Sequence, residues 1–243
     1  MCQETMQNIR NFTINFSGSL RNDEISFLCN PSPRCSTFYI LPKIHKSPTI
    51  TNVCLNSKCS YVDINYCPID LQSRPIINNV NSPTSNLSYF IDKLLEPFIS
   101  LVDSYIYDSF DFLSKLPKYV YSNTTLVNLD VKSLYTCIPH DFGMIAIQFW
   151  LQTYPSKLDS RFSVSFILES LSIILKQNSF RYKSNYFLQL SGVAMGTTVA
   201  PKYAQLVMGY FEILVRQSCA RIYGDEKTRA FLNIITASLT IST

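Results

Sequence analysis

Long apolar runs are missing from this chain of 243 residues, and so are blocks of like charge. No stretch approaches the ~18–20 uninterrupted apolar residues that a spanning helix needs, so a membrane protein is not expected. Residues 1–10 lack the apolar centre of a secretory signal, so an intracellular rather than a secreted chain is expected. No run of lysine and arginine reads as a basic tail. There is no internal repeat, no low-complexity tract and no Cys-x-x-Cys pair. Histidine occurs only at His45 and His140. The eight cysteines therefore lack zinc-finger spacing, although six lie in the first 67 residues. Cys54, Cys59 and Cys67 with His45 would make a ligand set only through an unusual loop arrangement, and free thiols are expected instead.

What is present is apolar and mildly basic. Hydrophobic residues make up 47% and charged residues 16%, which excludes a disordered, collagen-like or coiled-coil chain. The length suffices for one large domain or two small ones with a core of their own. A net charge of +4 permits contact with a polyanion without requiring it.

Periodicity organises the chain. Asp23-Glu24 opens a short helical pattern through Leu28. Thr37 to Leu41 reads as a strand ended by Pro42, with Lys43-Ile44-His45-Lys46 following. Residues 47–73 are rich in Asn, Ser, Thr and Cys and predict a long loop or insertion. Arg74-Pro75-Ile76-Ile77 is a second extended segment. Leu87, Phe90, Ile91, Leu94, Leu95 and Phe98 recur at helical spacing within 84–98, and a weaker helical pattern runs over 103–116. Residues 125–131 predict a buried strand. Helices are predicted over 142–151, 163–176 and 200–215. Residues 180–188 predict a hairpin about a Ser184-Asn185 turn. The mixed order of strands and helices indicates an α+β fold.

Asp130 ends the apolar strand 125–131. A carboxylate there is costly to leave unpaired, so it caps a turn, pairs with a cation or binds a metal. Tyr135 follows at a distance that lets its ring reach the same pocket, where a flat aromatic would exclude a ribose 2′-hydroxyl. Downstream, Gly192 and Gly196 in Gln189-Leu190-Ser191-Gly192-Val193-Ala194-Met195-Gly196-Thr197 allow backbone to approach a nucleotide closely.

The run Leu129-Asp130-Val131-Lys132-Ser133-Leu134-Tyr135-Thr136-Cys137-Ile138-Pro139-His140 resembles the first palm motif of Penelope-like retroelement reverse transcriptases. The similarity includes Phe38-Tyr39-Ile40-Leu41-Pro42-Lys43-Ile44-His45-Lys46, Arg74-Pro75-Ile76-Ile77, Ser85 to Tyr89, and Leu95-Glu96-Pro97. It continues through Gly192 to Thr197, Ala200 to Met208 and Phe211-Glu212. These blocks stand in the family's order across most of the chain between Phe38 and Glu212.

The resemblance implies fingers and an incomplete palm of a right-hand polymerase. Its parts would be a lead-in over 1–36, a fingers-like region over 37–120 with an insertion at about 47–73, a partial palm over 121–215, and a divergent tail over 216–243. Its reaction would be template-directed addition of deoxynucleotides to a primer, with an RNA template, a DNA primer and deoxynucleoside triphosphates as partners. Two Mg²⁺ or Mn²⁺ ions would clamp the phosphoryl transfer. Asp130 would bind metal, with the Val131 backbone carbonyl assisting, and Tyr135 would be the steric gate. Arg74 would reach the triphosphate as a planar donor, with Lys43 beside it and Lys46 near the triphosphate or template backbone. Gln189 and Gly192 would shape the nucleotide pocket.

The family's second acidic motif, Tyr-x-Asp-Asp, is not found. The nearest string is Ile222-Tyr223-Gly224-Asp225-Glu226, in which Asp225 is a candidate degenerate metal ligand and a charged surface turn is the alternative. A polymerase fragment incomplete for catalysis is therefore expected, with a non-catalytic nucleic-acid-binding remnant or a poorly folding fragment as alternatives. A retroelement origin would place the chain in the nucleus or cytoplasm.

Overall fold

The computed structural model describes residues 2–29, 32–57, 61–119, 122 and 131–224. The strand expected over 125–131 thus lies almost wholly outside the described residues. Those described fold as α+β, with a four-stranded mixed sheet beside a helical body.

Helices α1 (Cys2–Asn15) and α2 (Asn22–Leu28) precede β1 (Ser36–Pro42). Next come α3 (Pro48–Asn56), β2 (Ser73–Asn78), α4 (Ser85–Ile99), α5 (Ser109–Lys115) and a single turn, α6 (Leu134–Cys137). The chain continues through α7 (His140–Thr153), α8 (Val164–Lys176), the hairpin β3 (Ser179–Tyr182) and β4 (Asn185–Leu188), and α9 (Ala200–Tyr223).

The segment expected to be all loop over 47–73 contains α3, for reasons that apolar periodicity hides. Ser47 Oγ accepts from the Ile50 N–H at 3.2 Å, Pro48 sits in the first turn, and Asp70 Oδ2 accepts from the Thr49 N–H at 2.9 Å. The pattern over 103–116 shortens to α5, because Asp108 caps it by accepting from the Asp111 N–H at 2.8 Å. The hairpin turn falls at Lys183-Ser184, one residue earlier than expected, with Lys183 at φ +55°. Helix α9 runs unbroken past residue 215 to Tyr223, and Gly224, at φ +80°, ends it.

The core lies among α1, α4, α7, α8 and α9, where Ile9, Leu87, Leu95, Phe166, Leu171 and Ala204 are fully buried. Helix α7 meets α9 closely because Gly143 leaves room for the Tyr203 ring, and Gly209 lies against Val102 and Trp150. Trp150 Nε1 donates to the Leu206 carbonyl at 2.8 Å, fixing the register of the pair. The Tyr203 hydroxyl is buried against Gly143 without a hydrogen-bond partner. Its burial costs desolvation that nothing repays, so Tyr203→Phe is expected to raise the unfolding free energy by about 1 kcal/mol, measured by urea denaturation. Among the described residues no helix is long and apolar enough to cross a membrane.

The sheet order is β2-β1-β3-β4, with β1 antiparallel to β2, parallel to β3, and β3 antiparallel to β4. Ser36, Ile77 and Ser179 are buried and share one end of the sheet by register, whereas β4 and the far ends of the other strands are mostly exposed. The sheet is therefore rooted in the body at one end and projects from it at the other.

Candidate nucleic-acid interface

Alternation decides what the projecting sheet presents. Phe38 packs on Phe180 and Tyr182 at ring separations of 5.6 and 5.4 Å, and Phe180 stacks on Phe187 at 5.7 Å. These rings occupy one face. Residues opposite one another across a ladder share a face. Leu41 lies opposite Arg74, Thr37 opposite Arg181, and Arg181 opposite Tyr186. The second face therefore carries Tyr39, Arg74, Arg181 and Tyr186, of which all but the half-buried Arg74 are exposed.

Charge is segregated between sheet and body. None of β1 to β4 contains Asp or Glu. No carboxylate among the described residues pairs with Arg74, Arg181, Lys43 or Lys46, and Lys183 lies over the Tyr182 ring at 5.6 Å. The acids engage cations on the helical body instead. Glu24 holds Arg161 at 3.1 Å, Asp92 holds Lys202 at 2.8 Å, and Asp103 holds Arg216 at 3.1 Å. Unpaired cations beside exposed tyrosines suit a polyanion whose bases stack.

The glycine-bearing segment closes the rooted end of the sheet. It leaves β4 at Gln189, crosses to the opposite edge, and there the Met195 carbonyl accepts from the Ile77 N–H at 2.9 Å. Gly196 lies so close to the Ile77 carbonyl that a Cβ would not fit, and its φ is +113°. Asn79, buried, ties the segment to the sheet root: Ser36 Oγ donates to its Oδ1 at 2.6 Å, while its Nδ2 donates to Thr197 Oγ1. Midway, Gly192 passes the α6 turn at φ +73°, and the Val193 N–H donates to the Tyr135 carbonyl at 2.7 Å. Gln189 is held by Asn178, whose Nδ2 donates to its Oε1 at 2.9 Å, and itself donates to the Ser191 carbonyl at 2.9 Å.

The structure thus brings Tyr135, Gln189 and Gly192 to one locality. The Tyr135 ring packs partly buried against the core, and that burial holds its phenol above the ordinary value. Lys43 and Arg74 stand together at the other end of the sheet, since the Lys43 N–H donates to the Gln72 carbonyl at 2.8 Å. Arg74 lies about 10 Å from Ile77 along the extended strand. Lys46, in a single 3₁₀ turn after β1, is exposed, and its N–H donates to the Lys43 carbonyl at 2.9 Å. Val131 is 40% exposed at the entry to the α6 turn. Asp130 and Asp225 lie outside the described residues, so the two acids on which the ion expectation rests have no described geometry. Among the described residues no three His, Cys, Asp or Glu side chains cluster as metal ligands.

Sequence reasoning passed over three residues that the fold makes prominent. Arg181 and Tyr186 join Arg74 only through strand register, although an acid-free hairpin carrying Arg181 and Lys183 is a signal visible in the sequence. His140, whose Nε2 lies 2.8 Å from the Gly192 carbonyl, had no local signal pointing to that contact. Compared with protein-family models, curated proteins and solved structures, the chain gives no match in any of the three.

Proposed function

We propose that the chain is the fingers and first half of the palm of a reverse-transcriptase-type polymerase of the Penelope-like kind. In this reading the acid-free face of the sheet takes a single-stranded RNA or DNA template. Arg74 and Lys43 receive triphosphate oxygens when a nucleotide is bound, Arg74 meeting template phosphate when none is, and Gln189, Gly192 and Tyr135 shape the deoxynucleotide pocket. The observation that supports it most is the glycine segment, which joins the turn after Asp130 to the strand that carries Arg74. Elements far apart in sequence, all within the blocks that resemble the family, are thereby tied together.

A second reading, nucleic-acid binding without catalysis, is favoured by α9. The helix occupies Ile222-Tyr223, where a carboxylate-bearing hairpin would present the second pair of acids. Two-ion transfer with one such carboxylate forfeits charge stabilisation worth several kcal/mol of barrier. The chain alone is therefore expected to bind template without extending a primer.

The test is primer extension on an RNA template with Mg²⁺ or Mn²⁺, run beside template binding for the chain and for Asp130→Asn. Binding without extension supports the non-catalytic reading. Extension that Asp130→Asn abolishes means another acid completes the site. A folded sample that neither binds nor extends contradicts both.

A further inference from the structure

The Gly192 carbonyl and the Val193 N–H belong to one peptide unit, and that unit is held from both sides. The carbonyl meets His140 Nε2 at 2.8 Å, and the N–H donates to the Tyr135 carbonyl at 2.7 Å. A carbonyl only accepts, so Nε2 must carry the proton, which fixes the ring orientation. A trans peptide pinned at both polar groups cannot rotate, through ψ of Gly192 and φ of Val193, without breaking two hydrogen bonds.

His140 is itself well anchored. It opens α7, which packs on α9 through Gly143 against Tyr203 and Trp150 against the Leu206 carbonyl. Helix α9 is in turn the continuation of the glycine segment: the Val199 N–H donates to Ser88 Oγ of α4 at 3.0 Å where the helix begins. The chain thus runs from the segment into α9, across to α7, and back through His140 to the segment. Gln189, which donates to the Ser191 carbonyl, is fixed just upstream of the held peptide.

We infer that His140 is a positioning residue for the deoxynucleotide pocket, acting through the 192–193 peptide rather than by touching the nucleotide. The inference rests on the nucleotide-pocket reading proposed above. Without His140 the peptide keeps only the Tyr135 contact and rotates, carrying the pocket wall of Gln189 and Gly192 with it. Leucine at 140 preserves bulk but not the donor, whereas glutamine restores an N–H at comparable reach.

The experiment compares the chain with His140→Leu and His140→Gln by amide hydrogen exchange and by binding of deoxyguanosine triphosphate with Mg²⁺. In His140→Leu, Val193 is expected to exchange at least about tenfold faster while α7 and α9 keep their protection. Nucleotide affinity should fall about tenfold, with single-stranded RNA binding unchanged because the cationic face lies elsewhere. His140→Gln should recover most of both losses. Undiminished Val193 protection in His140→Leu, or equal nucleotide affinity in all three proteins, overturns the inference. A parent chain that binds no deoxynucleotide overturns the pocket reading itself, and this role with it, while the exchange result still reports whether His140 holds the peptide.

Discussion

Gly192→Val is expected to destabilise the protein by roughly 2–4 kcal/mol, the sum of backbone strain and overpacking. Two independent causes act at the same atom. The residue has φ +73°, a region that a β-branched side chain adopts only under strain. A Cβ there would also lie 2.5 Å from the Tyr135 carbonyl oxygen and 2.6 Å from the Thr136 Cα. Both neighbours are backbone, and the turn cannot recede without breaking the Val193 hydrogen bond. Gly18→Ala is the matched control, since nothing lies within 4 Å of its Cβ position. It should change stability by no more than about 0.5 kcal/mol. Urea midpoints at constant m-value measure both. Equal, small effects would mean that the segment does not pass the α6 turn as described.

The double substitution Arg74→Ala with Arg181→Ala is expected to weaken single-stranded RNA binding about 25-fold at 0.1 M salt. Counterion release sets the size of the loss: each phosphate contact on a single strand adds about −0.7 to the slope of log K against log salt, a factor of about 5 at 0.1 M. Two contacts multiply to about 25, and the slope itself should shrink by about 1.4. Replacing Arg21 and Arg161, which pair with Glu24 on the helical body, should leave the slope unchanged. Fluorescence anisotropy across a salt series measures all of these. An unchanged slope in the sheet variant would remove these arginines from the interface.

The elements that sequence made legible are those whose packing is periodic along the chain. Helix α4 carries Leu87, Ile91, Leu95 and Phe98 on one buried stripe, and α8 carries Phe166, Ile167, Leu171 and Ile174 in the same way. Strands β1 and β2 were legible as apolar runs bounded by proline and polar residues. Helix α3 was not, because only Ile50 of its residues is buried and its start depends on Ser47, Pro48 and the distant Asp70.

At the site, Gly192 and Gly196 were expected to let backbone approach a nucleotide, whereas what each meets in the structure is protein backbone, Thr136 at one and Ile77 at the other. Arg181 and His140 were illegible as site residues for a different reason. Arg181 gains meaning only when the β1–β3 register sets it opposite Thr37, and His140 only when a segment 52 residues away folds back onto α7. Such relations are tertiary, and no local propensity encodes them.

The central claim, that the cationic face of the projecting sheet is the nucleic-acid interface, is tested most directly by photo-crosslinking. A single-stranded RNA carrying 5-iodouridine would be irradiated with the full chain, and the labelled peptides identified by mass spectrometry. Tyr186 of β4, opposite Arg181, and Tyr39 of β1, two residues beyond the Thr37 that lies opposite Arg181, are both exposed and are the expected sites of label, reduced in the Arg74→Ala, Arg181→Ala protein. Label confined to the helical body, or spread evenly over surface aromatics in both proteins, would contradict it.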